Sequence, residues 1–411
     1  MNNAVEEFLV EINMHHSQID YDELLYRFKK TIEDVRAGGE GSLLMLPTYL
    51  NLSNKPSVNF KAISIDAGGT NLRVALVNID LYGNPIIEMI ENYSMIEISK
   101  EGTSDAFFRN IANLILKYRD YSKYIAMSFA YPGYIDNTRD LFVERMAKEI
   151  IIDDIEGKSF RAGISKHLEA NGCYDKKLTF INDSVASLIG AVSMMDFYHY
   201  GSCVGFILGT GTNVCYREKC TNMKKIIYEK NNVYDIINTE SGVFDYLRGG
   251  YIDKKIDENS KVPNDHIFEK LISGRYLYQI VAETAIYAYE KGVINSEIDN
   301  TWTSGAKINE YLVNNYTDED SLFIKDLCFN FMLRAAKLSA VSICSCVLAS
   351  HKIGDRALIV VEGTTALKLN GFMDELNKEI NKILLNGNNI EFVIKTADEV
   401  VLKGAAISAV L

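Results

Sequence analysis

IDAGGTNLRV, residues 65–74, decides the fold. KAISI runs into it and LRVALVNI runs out of it, both rich in apolar and β-branched residues, so it reads as strand, turn, strand. Glycine supplies the positive φ of a tight turn, and a single Gly-Gly turn is most often a plain hairpin connector. The device recurs, however. SCVGFILGTGTNVCYRE, residues 202–218, is again strand, Gly-Thr-Gly-Thr-Asn, strand, and ALIVVEGTT, residues 357–365, is a strand ending in Gly-Thr. A glycine turn exposes backbone N–H groups with no Cβ in the way, and a threonine adds a hydroxyl donor, which together make a phosphate cradle. Neither turn has the P-loop spacing G-x-x-x-x-G-K-[ST], nor G-x-G-x-x-G before a helix. The remaining reading is two phosphate-binding hairpins facing each other. The repeat is too long and divergent for a solenoid, so the expectation is an α/β protein of two similar domains around a cleft.

Composition agrees. A chain of 411 residues is too long for one core. With 47% hydrophobic and 24% charged residues it is an ordinary globular composition. A net charge of -12 argues against nucleic acid or an anionic membrane as main partner, while leaving room for a local positive pocket. The seven cysteines form no C-x-x-C pair and read as reduced thiols of a cytoplasmic protein. No Cys/His cluster suggests zinc. The acidic N-terminal stretch lacks a signal-peptide pattern. LSAVSICSCVLAS, residues 338–350, is too short and serine-rich to cross a bilayer and reads as a buried helix.

The periodicity predicts helix to about residue 45, with an apolar stripe ending near Gly38-Gly39, three antiparallel strands from residue 60, and a helix over 105–118. Strands follow at YIAMSFAYP (124–132) and LTFIND (178–183), then a helix for which Ser184 is a plausible N-cap. Residues 265–350 are mostly helical; a helix to about 385, the strand IEFVIKT and a small-residue helix end the chain. Several side chains carry two readings. Asp66 is a turn-capping carboxylate or the holder of a Mg²⁺ hydration shell. Asp183 caps a helix or acts as a base where a strand ends. Glu240 and Glu269 are surface acids or, with Asn182 and Asn213, an acceptor-rich ring for a polyol. Arg73 faces solvent or a phosphate, and Gly404 marks a nucleotide-side helix start or a close helix contact.

LPTY, IDAGGTNLRV, SFAYP, FINDS, GTGTNVCY, INTESG, FEKLISGRYL, VEGTT and KGAA, in this order, resemble the eukaryotic-type hexokinases of the actin/sugar-kinase/Hsp70 superfamily. The resemblance implies two RNase H-like (actin-like ATPase) domains around a cleft, a small one of residues 57–181 plus 397–411 and a large one of 1–56 plus 182–396. It implies hexokinase activity, phosphoryl transfer from Mg-ATP to the 6-hydroxyl of glucose or a related hexose; the alternatives are a kinase for mannose, fructose or an amino sugar, or a catalytically weak sugar sensor. The partners implied are hexose and ATP, with Mg²⁺ as cofactor, no nucleic acid, no membrane, and a monomer or homodimer in the cytoplasm.

Carried over residue by residue, Asp183 is the catalytic base, and Lys148, Asn182, Asp183, Asn213, Glu240 and Glu269 bind the sugar. Asp66, Gly68, Gly69, Thr70, Asn71 and Arg73 form the first phosphate turn, with Asp66 on the metal side through water. Gly209, Thr210, Gly211 and Thr212 form the second turn, and Gly363 and Thr364 the adenosine side. The family's F-S-F-P reads Phe129-Ala130-Tyr131-Pro132 here, and its W-T-K-G-F aligns with Met146-Ala147-Lys148-Glu149-Ile150. Both departures fall at the sugar loop.

Overall fold

The computed structural model describes residues 3–50, 52, 57–69, 71–131, 133–144, 150–191, 197, 199–298, 302, 304–351, 355–397 and 399–411. The chain divides into two compact units, one of residues 45–205, 215–238 and 395–411, the other of 1–44, 206–214 and 239–394.

The first unit carries β1 (Leu46–Pro47), β2 (Phe60–Ala67), β3 (Asn71–Ile79), β4 (Pro85–Ser94), β5 (Tyr124–Phe129), β6 (Gly133–Ile135), β7 (Leu141–Val143) and β8 (Lys177–Ile181). Five of these form a sheet in the order β4-β3-β2-β5-β8. As the three consecutive runs predict, β2, β3 and β4 pair antiparallel. β2, β5 and β8 are parallel, so their carboxyl ends share one edge. β2 and β5 are almost continuously buried because both faces are covered, as central strands of α/β sheets are. The helices Ser104–Leu116 and Phe160–Glu169 pack there through Phe107, Phe108 and Phe160. Phe160 lies 5.1 Å from Phe108 and 4.9 Å from Phe129, ring to ring, in edge-on contacts.

β9 (Ser202–Leu208), β10 (Thr212–Lys219), β11 (Tyr234–Asn238), β12 (Ala357–Glu362) and β13 (Phe392–Lys395) join β1 in a six-stranded sheet, order β1-β11-β10-β9-β12-β13. β9 and β10 flank the second glycine turn, as read from residues 202–218.

The second unit is largely helical. Its N-terminal helices are Asn3–Glu11 and Tyr21–Arg36, the latter capped by Asp20, whose carboxylate accepts the Glu23 N–H. Helix stops at Arg36, next to Gly38-Gly39 where the apolar stripe ends, and the residues from there to 45 are not helical. The serine-rich run of residues 338–350 is the end of a 32-residue helix, Glu319–Ser350. That helix is long and apolar enough to span a bilayer, but 83% of its most apolar window is buried inside the protein. Its serines are buried without penalty because their hydroxyls bond back to the preceding turn, Ser339 to the Ala335 carbonyl at 2.7 Å and Ser342 to that of Ser339 at 2.9 Å. The same helix buries Arg334, which donates to both oxygens of Asp253 at 2.8 Å.

Candidate active site

The common edge formed by the carboxyl ends of β2, β5 and β8 is where ligands gather in α/β sheets. The first glycine turn leaves β2 there, the segment Phe129-Ala130-Tyr131 leaves β5, and Asn182-Asp183 leaves β8. The turn closes on itself, the Gly68 N–H donating to the Asn71 carbonyl at 2.9 Å. A Cβ on Gly68 would sit 3.2 Å from that same oxygen, so a side chain there would crowd the closure.

Asp66 stands opposite Arg73 in the β2–β3 ladder. Directly opposed residues on one face of an antiparallel pair are within reach of each other, and Arg73 donates to Asp66 Oδ2 through Nε at 3.1 Å and Nη2 at 2.5 Å. Its Nη1 pairs with Glu399. One guanidinium thus links two carboxylates that lie 333 positions apart in sequence (399 minus 66). Arg73 is thus held between two carboxylates rather than simply facing solvent. Burial raises the Asp66 pKa, opposed by Arg73. Only Oδ2 is engaged by Arg73, which leaves Oδ1 as an acceptor. Among the described residues no group of three or more His, Cys, Asp or Glu could hold a metal ion. A lone carboxylate oxygen beside a phosphate turn fits Mg²⁺, which keeps most of its water and is bound by one or two carboxylates plus substrate phosphates.

The helix Asp183–Gly190 begins two residues earlier than a Ser184 cap would require. Asn182 is the N-cap: its Oδ1 accepts the Ser184 N–H at 2.9 Å and the Ser184 hydroxyl at 2.6 Å. Capping therefore belongs to Asn182, and Asp183 sits in the first turn with Oδ1 accepting the Ser184 N–H at 2.8 Å. This helix crosses the last helix, Val400–Ser408, backbone against backbone. A Cβ on Gly404 would lie 1.8 Å from the Ala186 carbonyl oxygen, and one on Gly190 would lie 2.0 Å from that of Val400. Close helix packing is thus a sufficient reason for Gly404.

The second unit assembles the other turn. The Gly209 N–H donates to the Gly211 carbonyl at 2.9 Å, and the Gly209 carbonyl accepts the Gly274 N–H at 2.8 Å and the Thr365 hydroxyl at 3.0 Å. The Thr212 hydroxyl donates to the Ile207 carbonyl, and the Thr212 N–H to Glu269 Oε2 at 3.1 Å. A Cβ on Gly211 would lie 2.5 Å from that oxygen, so glycine is what lets Glu269 approach. Gly363 packs equally close: with φ +107, a Cβ there would lie 2.3 Å from the Leu208 carbonyl oxygen, which brings Gly363-Thr364 against the start of the turn. Asn213 Oδ1 accepts the Ser241 N–H at 3.3 Å. Glu240, left-handed at φ 52, starts the turn that makes this possible. Glu269 rides on the short helix Ile267–Ile272, anchored from below by Phe268 in contact with Phe28 and Phe244, and by buried Lys270 held by Asp257 at 2.5 Å.

Within the first unit, then, Asp66, Gly68, Gly69, Arg73, Asn182 and Asp183 share one sheet edge. Within the second, Gly209–Asn213, Glu240, Glu269, Gly363 and Thr364 cluster around the other turn. Asn71 starts β3 and contributes its carbonyl to the turn rather than an observed side-chain contact. Lys148 and Thr70, together with Ala147, lie outside the described residues.

Three further residues emerge only here. Glu399 holds Arg73. The Tyr131 hydroxyl donates to the Gly69 carbonyl at 2.9 Å. Buried Asp235 accepts the N–H groups of Thr48, Tyr49 and Leu50 and the Thr48 hydroxyl, fixing the L-P-T-Y segment. Asp235 alone could have been suspected from sequence, as an acid inside the apolar run YDIIN.

Comparison with known proteins gives the same family over both halves of the chain. A hexokinase family model matches residues 4–192 and a second matches residues 203–411. Hexokinase-1 of Schizosaccharomyces pombe is 27% identical over 421 residues, covering 92% of this chain and 84% of its own length. Hexokinase-like 1 protein of Arabidopsis thaliana is 30% identical over 280 residues, 63% of this chain and 55% of its own length. Among solved structures, the hexokinase of Schistosoma mansoni complexed with glucose superimposes with TM-score 0.80 over 99% of both chains at 22% identity. The fold is accordingly that of the hexokinases, with two actin-like ATPase domains, and two family models that together span nearly the whole sequence place this chain in the hexokinase family.

Proposed function

We propose that this protein transfers the γ-phosphoryl group of ATP to the 6-hydroxyl of glucose or a closely related hexose. The observation that carries it is Asp183: a carboxylate in the first turn of its helix, at the same strand ends as the Gly68-Gly69 turn and Asp66. Membership of the hexokinase family supports the reaction class, and the ligands bound in related structures, glucose in the Schistosoma mansoni hexokinase and glucose with AMPPNP in a Streptomyces griseus glucokinase, support the substrate pair.

In this reading Asp183 accepts the proton of the sugar hydroxyl as its oxygen attacks the γ-phosphorus and ADP leaves. Glu240, Glu269, Asn182 and Asn213 hold the other hydroxyls. The two glycine turns present N–H donors to the phosphates, and Asp66 with the phosphates would hold Mg²⁺. When bound, the cation supplies neutralising charge to the phosphate oxygens. Seven buried, unbridged cysteines support a reducing, cytoplasmic setting.

The test is ADP release measured across a panel of hexoses, with Asp183→Ala beside the wild type. Glucose or a close relative should give the highest kcat/KM. The variant should lose about 10²- to 10⁴-fold in turnover while binding hexose within about tenfold of wild type. Near-normal turnover of the variant refutes Asp183 as base.

A further inference from the structure

One side chain links the wall beside Asn182, the sugar side in the proposed reading, to the first glycine turn. Tyr131, 4% exposed, lines a cavity of about 20 Å³ with Asn182, Thr48, Phe129 and Asn238, room for about one water. Its ring packs on Phe129 at 4.9 Å. Its hydroxyl reaches the other way and donates to the Gly69 carbonyl at 2.9 Å. One residue earlier the Ala130 N–H donates to the Ala67 carbonyl at 3.1 Å, continuing the β2–β5 ladder past the end of the strands. The segment that follows β5 therefore holds the glycine turn at two carbonyls, those of Ala67 and Gly69.

The chemistry of a glycine turn makes such a hold consequential. Glycines have no side chain to fix their φ and ψ, so the peptide planes of Gly68 and Gly69 are among the freest in the chain. A phosphate cradle works only if those planes are already oriented, because ordering them on binding costs affinity. The Gly68 N–H is committed to the Asn71 carbonyl. The Gly69 carbonyl is held by Tyr131, and holding a carbonyl stops rotation of its rigid peptide plane. The hydroxyl is an effective donor because burial keeps the phenol protonated, its pKa being raised.

We infer that Tyr131 is a positioning residue for the nucleotide phosphates, which acts by locking the Gly69 peptide from the sugar-side wall. The inference rests on the hexose-kinase reading, but its test does not need turnover. Tyr131→Phe keeps the ring and its packing and removes only the hydroxyl. Titration calorimetry with Mg·ADP should show a Kd about fivefold weaker than wild type, the effect of one hydrogen bond. The KM for ATP should rise by a similar factor, with the KM for hexose within about twofold. Equal Mg·ADP affinities, within twofold, overturn the inference. So does a lower kcat with unchanged Kd and KM, which is what a merely structural tyrosine would give. If the wild type phosphorylates no hexose, the proposed function fails, and the two Kd values still decide the role of Tyr131.

Discussion

Replacing Gly404 by alanine tests whether the crossing of the helices Asp183–Gly190 and Val400–Ser408 sets the geometry of the site. The added Cβ would lie 1.8 Å from the Ala186 carbonyl oxygen, 2.7 Å from its carbon and 2.8 Å from the Gly190 nitrogen. All three are backbone atoms of the facing helix, so no side chain can swing aside. Contacts of this kind shorter than 3.0 Å are essentially never seen, and the helices must separate by more than 1 Å, roughly, to accept it. Overpacking costs about 1–3 kcal/mol, and two rigid backbones place this case at the top of that range. Alanine's better helix propensity returns up to about 1 kcal/mol, for a net loss of about 2 kcal/mol. At roughly 2–4 °C per kcal/mol for a unit of this size, Tm should fall by about 4–8 °C. Activity should fall further than stability alone requires. The two helices begin at Asp183 and just after Glu399, so separating them shifts the proposed base and the partner of Arg73 together, and a 1 Å misplacement can cost about 10²-fold in rate. Calorimetry and ADP release on the same preparation measure both. Gly305→Ala is the control: it opens a helix and its Cβ would meet nothing within 4 Å, so neither quantity should fall. A Gly404→Ala protein that melts within about 1 °C of wild type and turns over normally would refute the reasoning.

Glu269→Gln should keep an acceptor for the Thr212 N–H and lose the charge, raising the hexose KM with little change in Tm. Glu269→Ala should also free the second turn, so that the KM for ATP rises with that for hexose; steady-state kinetics in both substrates separates the two. His16 titrates from its ordinary 6.5 down to about 4, chiefly because it is buried, with Lys337 and His15 adding repulsion. The folded state therefore binds fewer protons than the unfolded one between those values. Its contribution is complete above pH 6.5 and is lost as the pH falls toward 4. Denaturant midpoints measured across that window should drop, and less steeply in His16→Gln; equal slopes would disprove the assignment.

Much of this protein was legible in its sequence because the signals are local. Short apolar and β-branched runs mark β2, β3 and β5, and paired glycines between β2 and β3 can be little other than a tight turn exposing N–H groups. The order of the motifs then identified the family, and with it the residues that gather at each turn. Misreadings were also local: Ser184 looked like the cap because hydroxyl, amide and carboxylate side chains all cap helices, and only the backbone path shows that Asn182 does.

What needed the tertiary structure depends on contacts between distant segments. Nothing near Arg73 in sequence points to Glu399, nor anything near Thr48 to Asp235. Nor does the spacing of Phe129-Ala130-Tyr131 show that the serine hydroxyl absent at Ala130 is accompanied by a phenol holding the Gly69 carbonyl. Sequence patterns fix which groups a strand or turn presents, since that follows from bonded geometry. Which partner meets each group follows from sheet register and helix crossing, and those are set by the packing of the whole fold. The Asp-Ala-Gly-Gly-Thr stretch was therefore readable as a tight turn between two strands from ten residues, whereas the side chains that hold that turn were not.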